Sequence, residues 1–142
     1  MSSIRIFLIA VILSIMTLGV FISALHGYRS GIFKAQQIFD SELSDTAQLL
    51  SVVREAYKPG DTAALETTRY LFQIWQGDTL LLRSANAPEI LIAPLKSGFH
   101  DRNFDNHRWR TYSLYNESSG HWVITAERLD IRNSLAENIV LE

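Results

Sequence analysis

The chain has 142 residues, 47% apolar and 20% charged, with a formal net charge of −2. That composition excludes a disordered chain and a strongly basic nucleic-acid binder. The absence of cysteine excludes a disulfide scaffold, a thiolate zinc site and a cysteine nucleophile.

Residues 1–5 are a short basic start, carrying Arg5, expected on the cytoplasmic side. Ile6 to Leu25 then reads IFLIAVILSIMTLGVFISAL, 20 residues without a charge. As a helix it spans about 30 Å, the thickness of a hydrocarbon core. Its polar members Ser14, Thr17 and Ser23 can bond back to the helix backbone. A cleaved signal peptide is the main competitor, but the apolar run is long for one and the small-x-small site is poor: Ile22 precedes Ala24 by two. The expectation is an uncleaved anchor, with Tyr28 at the interface. Charge does not orient it, because Arg5 lies on one side and Arg29 and Lys34 on the other.

Residues 26–60 are expected to continue as a stalk helix. Ile32, Phe39, Leu43, Leu50, Val53 and Tyr57, with Gln36 and Thr46 in the gaps, step alternately by three and four. The seam reads as a contact with a second copy, giving a homodimer, or as packing on the chain's own sheet, and the two are compatible. Pro59-Gly60-Asp61 is expected to end the helix.

Residues 61–128 are expected to form a small antiparallel sheet. YLFQIWQ (70–76) and TLLLR (79–83) flank Gly77-Asp78 as a hairpin. EILIA (89–93), between Pro88 and Pro94, is expected as at most an edge strand. Gly98 to Phe104 is a further strand, and His107–Tyr115 and His121–Arg128 a second hairpin. Residues 129–142 return to helical spacing, with Leu129, Leu135, Ile139 and Val140 on one face. The fold class is α+β.

No nucleophile elbow, phosphate loop, dinucleotide turn or close metal-ligand spacing is present. The chain is therefore not expected to be an enzyme or to carry a cofactor or metal. One stretch, FHDRNFDNHRWRTY (99–112), gathers Arg102, His107, Arg108 and Arg110 among aromatics. These four are the candidate ligand-binding residues, for an anionic or aromatic signal. In a strand, Arg108, Arg110 and Tyr112 share one face and Trp109 and Thr111 the other. The competing reading makes the arginines the solvated face of a sheet, paired with Asp101 or Asp105. Trp75 and Trp109 are expected to be core residues.

Several segments together resemble the N-terminal sensor region of bacterial two-component sensor histidine kinases, of the quorum-sensing (QseC-like) and tricarboxylate-sensing (TctE-like) type. They are SSIRIFL, AQQIFDSELSDTAQLL, FQIWQGDTLLLRSANAP, GFHDR, HRWRTYSLY and ITAERLDIRNSLAENI. The resemblance implies an inner-membrane protein whose sheet domain is periplasmic and which signals across the membrane as a dimer. It further implies a second membrane span, a linker (HAMP) domain and an ATP-dependent kinase core after the terminal helix, none of which lies within these residues. Through that kinase the partner would be a response regulator, in a phosphorelay. Membrane is the other expected partner, and nucleic acid is not. Two other classes remain open. One is a pilin-like subunit, although no processing glycine precedes the apolar run. The other is a ligand-binding domain with a cleaved leader.

Overall fold

The computed structural model describes residues 2–56 and 69–141. Helix α1 runs from Ser2 to Ala56 without a break. At 1.5 Å per residue it is about 80 Å long. Among the described residues nothing packs on its N-terminal half: Phe7 is 70% exposed and Val20 69%. It is long and apolar enough to cross a membrane. Within it, the Thr17 hydroxyl donates to the Leu13 carbonyl at 2.8 Å, which hides the polar group from an apolar surround. Tyr57 and the Pro59-Gly60-Asp61 stop, with the start of the expected sheet region, lie outside the described residues.

Five antiparallel strands follow: β1 (Tyr70–Gln76), β2 (Thr79–Arg83), β3 (Gly98–Phe104), β4 (His107–Asn116) and β5 (His121–Arg128). They lie in the order β2-β1-β5-β4-β3. Helix α2 (Leu129–Leu141) continues directly from β5. The turns carry their chemistry openly. Gly77 has φ +56°, as the tight β1–β2 hairpin demands. Asp105 and Asn106 both sit at positive φ, 51° and 54°, the two-residue turn whose twist matches the flanking strands.

β2 and β3 occupy opposite edges, so residues 84–97 must cross the whole sheet to connect them. This corrects the reading of EILIA as an edge strand. The segment forms no strand; it lies over the sheet, with Ile92 and Ala93 buried against Leu71, Trp75, Trp109 and Ile124. Gln73 holds it there. Its amide Nε2 donates to the carbonyls of Pro88 and Ile90, both at 2.7 Å. Its Oε1 accepts from Trp75 Nε1 at 3.0 Å and from the Ile92 amide at 3.3 Å. Both donor hydrogens of the amide and its acceptor oxygen are used, which is how a fully buried Gln73 is tolerated.

α1 covers the other face. Ala47 packs with Ile74 and Val123, and Ala35 and Phe39 pack with Ala136 of α2. The Thr125 hydroxyl donates to the Leu43 carbonyl at 3.1 Å. The predicted seam therefore packs on the chain's own sheet, and it also takes in Ala35 and Ala47, whose small side chains let the backbones approach. Val53 is not part of it and is 47% exposed. On α2 the buried positions include Arg132 and Ala136, which the apolar spacing alone does not mark.

Candidate functional site

The largest polar feature lies where α1, the sheet and α2 meet. Arg132 is 1% exposed and Glu127 0%. Burying either charge alone is costly, so each needs a partner in place. Glu127 is the penultimate residue of β5 and faces α1, and Arg132 follows one turn into α2, so the strand-to-helix junction itself brings them together. Arg132 Nε donates to Glu127 at 3.2 Å, and its Nη1 to Asp40 of α1 at 2.6 Å. Arg69, just before β1, donates to the other Glu127 oxygen at 2.7 Å and pairs with Glu42 at 3.4 Å. Tyr70 donates its hydroxyl to Glu42 at 3.1 Å. Arg110 of β4 grips Asp40 through Nε at 3.3 Å and Nη2 at 2.9 Å. The Phe39 ring lies between two cations, Arg69 at 5.2 Å and Arg132 at 5.5 Å from its centroid. Gln36 closes the helix–helix side, donating to Asn133 at 3.0 Å.

The electrostatics follow from these contacts. Burial pushes the Asp40 carboxyl up, but the hydrogen bonds and charges of Arg110 and Arg132 outweigh it and hold the carboxyl below the usual aspartate value. Burial and the Glu127 charge push the Tyr70 phenol up to about 12. For Arg69 and Arg110 burial acts downward, and their carboxylate partners overcome it and raise both. These shifts keep Asp40, Arg69 and Arg110 charged at neutral pH. The cluster ties α1 to β4, β5 and α2 through shared charges.

The four residues expected to form a ligand site are not brought together on one face. Cross-strand pairing sets Asp101 against Arg110 and Arg102 against Trp109. Alternation then puts Arg108 and Arg110 on the α1 face, and Arg102 and His107 on the opposite face with Trp109. Arg108 and Arg110 both donate to Asp101, at 3.2 and 2.9 Å, while Arg110 also serves Asp40. His107 bonds through Nδ1 to the Asp105 carbonyl inside its own hairpin. Arg102 stands exposed at the sheet edge. The expected pairing with Asp101 is present. The expected solvation holds for Arg102 and Arg108, which are exposed, and not for Arg110, which α1 partly covers through Asp40. Trp109 is buried, stacked on Phe104 at 4.7 Å, and Trp75 is buried beside it in the same core.

Sequence reasoning passed over Asp40, Glu127, Arg132, Arg69 and Gln73. A signal for some was present. Gln36 and Asp40 stand one helical turn apart beside the apolar stripe, and Glu127, Arg128 and Arg132 form the E-R-x-x-x-R element noted for its resemblance alone. Among the described residues no group of three metal-ligating side chains comes together.

No curated protein and no solved structure matches the chain. A family model described as "two-component sensor kinase N-terminal" matches residues 16–139, which takes in most of α1, the whole sheet and nearly all of α2. The chain belongs to that family and is an N-terminal sensor region of a two-component sensor kinase.

Proposed function

We propose that this chain is the extracytoplasmic sensing part of a bacterial sensor histidine kinase, anchored in the inner membrane by the apolar half of α1. The sheet domain is periplasmic, and it passes a small-molecule or ionic stimulus to an ATP-dependent kinase core that acts on a response regulator. The observation that carries this reading is the continuity of α1 from its apolar span to Asp40, where Arg110 and Arg132 lock it to the sheet and to α2. A stimulus that alters the sheet moves α1 and α2 relative to each other, because their contact runs through charges that tolerate few arrangements. A stimulus can shift such an equilibrium only by its difference in affinity for the two arrangements. Helix displacements of an ångström or two are a known form of switch. The stalk's buried stripe is occupied by the chain's own sheet. A homodimer would therefore use the outward side of α1, where Ile38, Leu49 and Val52 are each more than 60% exposed.

Two measurements test this. Alkaline phosphatase fused after residue 85 is expected to be active, as it is only outside the cytoplasm; activity from a cytoplasmic reporter at that position instead would refute the placement. In the full kinase, Asp40→Asn is expected to change unstimulated response-regulator phosphorylation. Unchanged phosphorylation with a normally folded domain would refute the coupling role.

A further inference from the structure

We infer that the β3–β4 hairpin tip is a lipid-contact element, resting against phosphate headgroups of the membrane that α1 crosses. The inference rests on the proposed anchoring of α1. Three contacts set the height of the sheet along α1: Arg110 meets Asp40, Thr125 meets Leu43, and Val123 packs on Ala47. Val123 is level with Leu114, so four strand positions from Arg110 to Leu114 correspond to seven helix positions from Asp40 to Ala47. Seven helical residues rise about 10 Å, so each strand residue climbs about 2.6 Å along α1. Lower β4 numbers lie nearer the apolar half. The Asp105-Asn106 turn is four to five residues below Arg110, and thus about 11 Å below the level of Asp40. Asp40 itself stands 15 residues beyond Leu25, about 22 Å. The tip therefore lies about 11 Å beyond the end of the apolar run.

That height matters because the headgroup layer adds roughly 5–7 Å outside the hydrocarbon on each side. The remaining gap is shorter than a Debye length at physiological salt, ~8 Å. The chemistry at the tip suits phosphate. Residues 102–108 read RNFDNHR, two arginines and a histidine against the single Asp105. Arg108 is 68% exposed at its side chain and, among the described residues, pairs with Asp101 alone. Arg102 is exposed and enters none of the ion pairs formed among the described residues. Arginine side chains carry their charge far from the backbone, and the fork of the guanidinium pairs well with phosphate oxygens. The turn presenting them is a tight two-residue one, so the charges are held at a defined height.

The chain has no cysteine, so a single introduced one is a unique label. The full chain, reconstituted in phosphatidylcholine vesicles with and without phosphatidylglycerol, would carry a bimane at Asn106→Cys or, as the distal control, at Asp78→Cys. The quencher is a lipid with a nitroxide on its headgroup. Strong quenching is expected at Asn106→Cys and none at Asp78→Cys, which stands about 30 Å higher. Each arginine near an anionic surface favours contact about fivefold. Phosphatidylglycerol should therefore strengthen quenching, and Arg102→Glu with Arg108→Glu should abolish that gain. If the protein floats with vesicles but the Asn106→Cys label is unquenched, or if quenching ignores both lipid charge and the arginines, the tip contact is refuted while the anchor stands. If the protein does not float with vesicles, the anchor reading fails and this inference falls with it.

Discussion

Replacing Glu127 by glutamine removes one charge from the centre of the ionic cluster while keeping the side chain's shape. Glu127 is fully buried and accepts from Arg69 at 2.7 Å and Arg132 at 3.2 Å. Arg132, itself 2% exposed at its side chain, would keep Asp40 as its carboxylate partner, with Gln36 Oε1 at 3.4 Å. Breaking one side of a buried pair costs about 3–5 kcal/mol, and the lower end applies here because the amide oxygen still accepts and Asp40 remains. Arg132→Met, which strands Glu127 with Arg69, itself 32% exposed at its side chain, is expected to cost a similar amount. The double variant removes both buried partners together, and a buried pair exchanged for apolar volume is often near neutral. It should therefore be more stable than the sum of the single losses predicts, by about 1–3 kcal/mol. Urea unfolding of the full chain in micelles, followed by the fluorescence of Trp75, Trp109 and Trp122, reads this directly. With a slope of about 1–3 kcal/mol per molar, each single variant should lower the midpoint by roughly 1–3 M. Single variants within about 0.5 kcal/mol of the parent, or strict additivity in the double variant, would refute the claim that these charges hold the junction.

The Asp40 carboxyl titrates lower when folded than when unfolded, so its contribution is present above the unfolded value of about 3.9 and is lost as pH falls through the folded value. Stability should decline on acidification below about pH 4, and Asp40→Asn should flatten that decline in pH-dependent melting. Tyr70 works in the opposite range. Its folded pKa of about 12 exceeds the unfolded value of 10.0, so stability should fall as pH rises from 10 towards 12, and Tyr70→Phe should remove that loss. Gln73→Ala strips the clamp on residues 84–97. With four hydrogen bonds gone and the Trp75 donor left buried, a loss of about 3 kcal/mol or more is expected, with faster amide exchange at Ile92. Trp75→Ala and Trp109→Ala should each cost ~3–5 kcal/mol and leave the sheet poorly folded; melting equal to the parent would contradict their place in the core.

Hydrophobic periodicity decided the elements. A charge-free run of 20 residues can satisfy its backbone in lipid only as a helix, and the change from a period near 3.5 to alternation marks where the sheet begins. The seam on α1, the turns at Gly77 and Asp105-Asn106, and the return to helical spacing after Arg128 follow from local rules, because each depends on neighbours within a few residues. Three things depended on the tertiary structure. Local pattern does not specify strand order, and it is the placement of β2 and β3 on opposite edges that turns EILIA from a strand into a crossing segment held by Gln73. The arginines of FHDRNFDNHRWRTY are close in sequence, yet strand alternation divides them between two faces, and Asp101 and Asp40 occupy those on the α1 face. The cluster itself joins residues 40, 69, 110, 127 and 132. Charges spread so widely along a chain read as surface until packing buries them, since a buried ion is tolerated only where distant segments deliver its partner, and that delivery is a property of the fold.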